Sequence, residues 1–151
     1  MSSSGFRHLV RISGSDIPGD LRVTIALTHI RGISHRFAEV IVKSIDNLDQ
    51  SERLGYITDN MIEQIENVIQ EPLKHGLPEW MLNRKKDPQT GETFQLVGAK
   101  LLLQFRQDIE AMIRIRSRRG SRHSFGLRVR GQRTKSSGRG QTSLGVSRKK
   151  E

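Results

Sequence analysis

The sequence predicts a mostly helical protein: a small helical bundle with a helix–turn–helix junction, a minor β-hairpin and a long, basic, extended C-terminal tail. Three observations lead there. Apolar residues recur at helical spacing in several stretches between turn residues. Gly32 and Ser34 separate two such stretches as a helix stop and a helix cap would. From Arg114 to Glu151, thirteen Arg and Lys face a single acid, Glu151, for a net of +12, whereas the first 113 residues net −2. A near-neutral body with a very basic end points to a polyanionic partner.

In chain order, residues 2–5 are Ser and Gly, and Arg7 to Ile12 alternates polar and apolar apart from Leu9, as a short extended strand does. Ser13 to Asp20 reads as a turn cluster around Pro18 and Gly19. Leu21 to Ile30 reads as a short helix offering Leu21, Ile25, Leu27 and Ile30 to a core; its β-branched content makes strand the competing assignment. Ser34 caps a second helix, His35 to Ile45, with Phe37, Val40, Ile41 and Ile45 on one face. Thr58 to Glu71 carries the clearest stripe: Met61, Ile62, Ile65, Val68 and Ile69 follow helical spacing, Asp59 sits in the first turn and Pro72 ends the run. Pro78 to Leu82 reads as one further helical turn, and the flanks of the turn Lys85 to Thr93 pair as a small hairpin.

The longest predicted helix is Val97 to Ile115, striped by Leu102, Phe105, Ile109 and Met112 and widened by Leu101, Leu103 and Ile113. A core is expected from residues 6–116. Beyond Gly120 the apolar residues reduce to Phe125, Leu127, Val129, Leu144 and Val146, too few to offset ordering entropy, so extended chain is expected there. The expected organisation is an N-terminal arm and turn over 1–19, a helical body over 20–119 that would bind the polyanion together with the tail, and a basic extended tail over 120–151.

Composition excludes several functions. Without cysteine there are no disulfides or thiolate metal sites. The five histidines show no paired ligand spacing, so no metal and no cofactor is expected. Gly126 to Arg133 and Gly140 to Ser147 have the glycine spacing of a phosphate loop, but Gln132 and Val146 stand where its lysine belongs. Glu63 and Glu66 lie one turn apart, as on a solvated helix face, and no Gly-x-Ser-x-Gly elbow occurs. No catalytic residues are assigned. No apolar run reaches membrane-spanning length, no signal sequence is apparent, and the acids Asp16 and Asp20 argue against a transit peptide.

What remains is nucleic acid. In the basic end, ten Arg against three Lys favour bidentate phosphate contacts and stacking on bases. A lipid surface fits less well, because the segment lacks an amphipathic apolar face. The expected RNA-binding residues are Arg114, Arg116, Arg118, Arg119, Arg122, His123, Arg128, Arg130, Gln132, Arg133, Lys135 and Arg139. The turn Ile30-Arg31-Gly32-Ile33-Ser34 resembles the hairpin of helix–hairpin–helix nucleic-acid binders, which adds Arg31 and His35; a plain helix–helix turn is the competing reading.

The segment Arg118 to Gly140 carries more than composition. Arg119, Gly120, Arg122, His123, Gly126, Leu127, Val129, Arg130, Gly131, Gln132 and Thr134 match a pattern that closely resembles the signature of the universal thirteenth small-subunit ribosomal protein family, counted eighteenth in the eukaryotic subunit. Asp16 to Ser34 is similar to that family's opening helix and turn, and Leu77 to Glu92 is similar to the insertion of its archaeal and eukaryotic branch. Two positions depart from the pattern. Ser34 replaces a second junction glycine, and Gly140 and Gln141 follow Arg139 where further arginines are usual. The resemblance implies a non-enzymatic constituent of the head of the cytosolic small subunit. Its partners would be small-subunit ribosomal RNA, neighbouring head proteins, the large-subunit protein at the 5S RNA in an intersubunit bridge, and the peptidyl-site tRNA. The competing functions are a DNA-architectural protein and a nucleic-acid-processing enzyme.

Overall fold

The computed structural model describes residues 5–45 and 48–135. Two compact units are present, Met1–Leu102 and Leu103–Glu151. The first opens with an antiparallel hairpin, β1 (Leu9–Ile12) and β2 (Ser15–Pro18), in the register Ile12 with Ser15 and Leu9 with Pro18. Ser13 and Gly14 both have positive φ, 48° and 75°, the conformation a tight two-residue hairpin needs. Alternation turns Val10, Ile12 and Ile17 inward and leaves Leu9 and Arg11 outside. The turn expected over Ser13 to Asp20 is therefore shorter than its composition suggests: Ser15–Pro18 is strand, and Pro18 is tolerated because it ends an edge strand.

Helices α1 (Val23–Thr28), α2 (His35–Lys43) and α3 (Asp59–Gln70) follow, α2 packing on both α1 and α3. In α1 the buried face is Val23, Ala26 and Leu27, continued by Ile30, while Ile25 is exposed. The segment from Val23 is helix, which decides the helix-or-strand alternative, and Ile25 is exposed because Val23, Ala26, Leu27 and Ile30 share the face opposite it. In α2, Phe37, Ala38, Ile41 and Val42 are buried with Ile45 beyond, and Val40 packs at the edge. In α3, Ile65, Val68 and Ile69 are buried, with Met61 and Ile62 packed beside them. Ser34 and Thr58 occupy the expected N-cap positions with extended backbone, but neither side chain makes a capping bond.

A 3₁₀ turn at Leu54–Tyr56 and another at Glu79–Met81, inside the expected Pro78 to Leu82 stretch, join the layers. Arg7 fastens the N-terminal segment, donating from its guanidinium to the Asp59 carboxylate and the Ile57 carbonyl. The expected pairing around Lys85 to Thr93 is reduced to one antiparallel bridge, Arg84 with Phe94.

Helix α4 (Gly98–Arg114) starts in the first unit and supplies no buried residue. Among the described residues the cluster of buried apolar side chains runs from Val10 to Leu82, so the core does not extend to residue 116. The α4 stripe instead leaves Leu102, Leu103, Phe105 and Ile113 exposed.

In the second unit, α5 (Arg118–Ser124) is a helix where extended chain was expected from Gly120 onward. Local hydrogen bonds, not apolar burial, form it, which is why counting apolar residues misses it.

Candidate nucleic-acid interface

The basic segment is shaped by how α4 stops. Arg116 N–H donates to the Ile113 carbonyl at 2.9 Å, and Ser117 N–H donates to the Met112 carbonyl at 3.2 Å. With Arg116 at φ 54°, these bonds make a Schellman ending in which arginine occupies the left-handed position that usually takes glycine. Ser117 then begins α5: its Oγ accepts from Gly120 N–H at 3.0 Å. Gly120 is buried, and a methyl group there would run into the Met112 backbone, so this position must lack a side chain for α5 to fold against the end of α4.

Past α5 the chain turns back on it. Gly126 has φ 64°, Leu127 N–H donates to the Arg122 carbonyl at 2.9 Å, and Arg122 Nε donates to the Arg128 carbonyl at 3.0 Å. Gln132 Oε1 accepts from Arg130 N–H at 3.0 Å.

The predicted residues are distributed along this scaffold. Arg114 ends α4, Arg116 is the turn, Arg118 and Arg119 open α5, and Arg122 and His123 lie in its last turn. Arg128, Arg130, Gln132, Arg133 and Lys135 follow on the returning chain and are exposed, whereas Arg122 and His123 are half-buried. Arg122 and Gln132 thus have structural work of their own. Arg139 lies outside the described residues. Between Arg114 and Lys135 there are nine Arg and Lys and no acid. Arg122 and His123 suit the C-terminal end of the α5 dipole, while Arg118 and Arg119 oppose it at the other end. Such a segment is relieved by an external anion.

Arg31 and His35 belong to the first unit. Their turn is backed by the chain that leads into α4: the Arg31 carbonyl accepts from Gly98 N–H at 2.8 Å, and the Gly32 carbonyl accepts from Gln95 Nε2 at 2.8 Å. Asn83 locks that chain, donating to the Leu96 carbonyl at 2.7 Å and accepting from its N–H at 2.9 Å. Gly32 has φ 102°, and a methyl group on it would collide with the Leu96 carbonyl. The turn is thereby rigid, with both flanking side chains facing solvent.

Sequence reasoning missed Ser117 and the close approach at Gly120. Ser117, a residue type preferred at helix N-caps and standing directly before Arg118, is the signal that was available. Among the described residues, no group of three His, Cys, Asp or Glu could hold a metal ion. No helix among them is long and apolar enough to cross a membrane.

The sequence profile of the family described as "Ribosomal protein S13/S18" matches residues 11–140. The chain belongs to the S13/S18 ribosomal protein family. Like that family, it is structural and not an enzyme. Three similar relatives carry the name "Small ribosomal subunit protein uS13". One from Methanosphaera stadtmanae is 49% identical across 98% of this chain and 96% of its own length. One from Hyperthermus butylicus is 45% identical across 100% and 99%. One from Staphylothermus marinus is 42% identical across 99% and 98%. These likenesses place the chain in the archaeal branch of the S13/S18 family, within the branch to which the insertion at Leu77 to Glu92 pointed. The family match runs from the second half of β1 through the helix–turn–helix junction and the α4–α5 corner.

Proposed function

We propose that this S13/S18 protein is a constituent of the head of the small ribosomal subunit in the cytoplasm and holds ribosomal RNA through the α4–α5 corner and the chain that follows it. One observation carries the reading: nine Arg and Lys without an acid, set on a helix end, a left-handed turn, a second helix and a returning strand of chain. Guanidinium groups fork onto phosphates, and the glycines at 126 and 131, with open space around them, keep the backbone slim where it follows the polyanion. Arg31 and His35 are a second, smaller contact on the first unit. Arg139 keeps its place in the interface on sequence grounds. The family resemblance supports three further partners: neighbouring head proteins, the large-subunit protein at the 5S RNA through the body, and the peptidyl-site tRNA through the tail.

The test is competition binding of the full chain to a structured fragment of small-subunit RNA and to duplex DNA of equal length across a salt series. RNA preference is expected, with log affinity falling by roughly 0.7–0.9 per neutralised phosphate for each unit of log salt. Replacing Arg118 and Arg119 with Gln should lower that slope by about one to two. Equal affinity for DNA would favour the architectural reading. A salt-independent affinity would remove the basic segment from the interface. Cosedimentation with small subunits checks the assignment to the particle.

A further inference from the structure

Trp80 is the chain's single tryptophan, and it is 69% exposed. It stands on the 3₁₀ turn Glu79–Met81, whose neighbours Leu77 and Leu82 are buried in the core. The indole is therefore held out to solvent by an anchored turn. It faces an open depression of about 450 Å³ lined by Glu79, Trp80, Lys85 and Lys86.

The loop that supplies the lysines is built around a buried acid. Asp87 is 5% exposed; it takes Arg84 Nη2 at 2.7 Å on one oxygen and the N–H groups of Gln89 and Thr90, each at 3.2 Å, on the other. The Thr93 hydroxyl then ties loop to turn. It accepts from Lys86 N–H at 3.3 Å and donates to Glu79 Oε1 at 2.6 Å. One oxygen of the exposed Glu79 carboxylate is thus engaged from within the protein, and Arg84 is engaged by Asp87. Lys85 and Lys86 are exposed, Lys86 from a left-handed backbone at φ 47°. An aromatic face beside two ammonium groups on a fixed frame is the composition of a base-and-phosphate site. Lysine is depleted at the centres of protein–protein interfaces, which weighs against a protein occupant.

We propose that Trp80, Lys85 and Lys86 form a stacking site for an unpaired RNA nucleotide, the base lying on the indole and the adjoining phosphate meeting the two lysines. A base paired within a helix has no free face, so the ligand is a loop, bulge or single strand. Stacking tolerates any base, so the site reads the unpaired state of the RNA and not its sequence. The inference rests on the RNA-binding reading above but concerns a different surface.

The single tryptophan makes the test direct. The full chain is titrated with a short unstructured oligoribonucleotide, and two signals are followed: fluorescence anisotropy of a labelled strand for binding anywhere, and Trp80 emission with acrylamide quenching for this site. The expected result is quenching of Trp80 and loss of acrylamide access in step with the anisotropy. Trp80→Ala should weaken binding about five-fold or more, Trp80→Phe should keep part of the affinity, and Lys85→Gln with Lys86→Gln should shrink the Trp80 response. RNA bound by anisotropy with Trp80 emission and acrylamide access unchanged would overturn the site and leave the basic-segment interface standing. No binding by either signal would overturn both.

Discussion

The Ser117 hydroxyl donates to the Met112 carbonyl at 2.9 Å while accepting from Gly120 N–H, so a single side chain closes α4 and opens α5. Ser117→Ala should cost about 1 kcal/mol of local stability through the lost cap. Hydrogen exchange checks it: the Gly120 and Ser121 amides should exchange faster, while those of α3 remain protected. RNA affinity should fall with the loss of α5, because Arg118, Arg119 and Arg122 lose their fixed spacing.

Arg116 supplies the opposite experiment. A side chain in the left-handed region costs roughly 1–2 kcal/mol, which glycine avoids. Arg116→Gly should stabilise the corner by up to about 1 kcal/mol, and it should also weaken RNA binding by removing a cation. Thermal unfolding and an RNA titration on the same variant separate the two effects. A variant both less stable and equally tight would contradict the role assigned to this position.

Gly32 governs the first unit's turn. Gly32→Ala combines an unfavourable φ of 102° with overlap onto the Leu96 carbonyl, so a loss of at least about 1 kcal/mol is expected. The midpoint of chemical denaturation reads it. Gly91→Ala is the control, with positive φ but open space around it, and should cost less.

The sequence showed most where packing follows a simple period. α3 was evident because Ile65, Val68 and Ile69 repeat at helical spacing and Pro72 closes the run. β2 was hidden because Ser15 to Pro18 offers one inward apolar residue, Ile17, and its strand state comes from pairing with β1. α5 was hidden for a related reason: only Gly120 is buried in it, and the contact that shapes it is with a carbonyl. The cations proposed for the interface are visible in the sequence as a charge excess. Their arrangement around Arg116 and Ser117 is not, since a left-handed arginine leaves no composition signal. The exposure of Trp80 is not encoded by any periodicity, because it follows from a single 3₁₀ turn held between the buried Leu77 and Leu82.

Asp87 also sets a pH dependence. The bond from Arg84 holds its carboxyl below the ordinary aspartate range, helped by the Thr90 and Gln89 N–H groups and opposed by desolvation. A lowered folded value means the charged form is favoured by folding. That contribution is complete above the ordinary aspartate value and disappears as the pH falls through the lowered one. In an acid titration followed by NMR, the Gln89 and Thr90 amide shifts should move below the range in which exposed carboxylates titrate. Asp87→Asn should abolish that movement and loosen the loop at neutral pH.

The uncovered stripe of α4 bears on how the free protein behaves in solution. Leu102, Leu103, Phe105 and Ile113 meet water on one helix, and repulsion between chains of net charge +10 opposes the pairing of two such helices. Salt shortens the reach of that repulsion from about 10 Å at 0.1 M to about 3 Å at 1 M and leaves apolar attraction intact. Solubility of the isolated chain should therefore fall as salt rises, across the same range that is expected to weaken the proposed RNA contacts, so the two effects of salt would arrive together: less hold on a polyanion and more adhesion between copies.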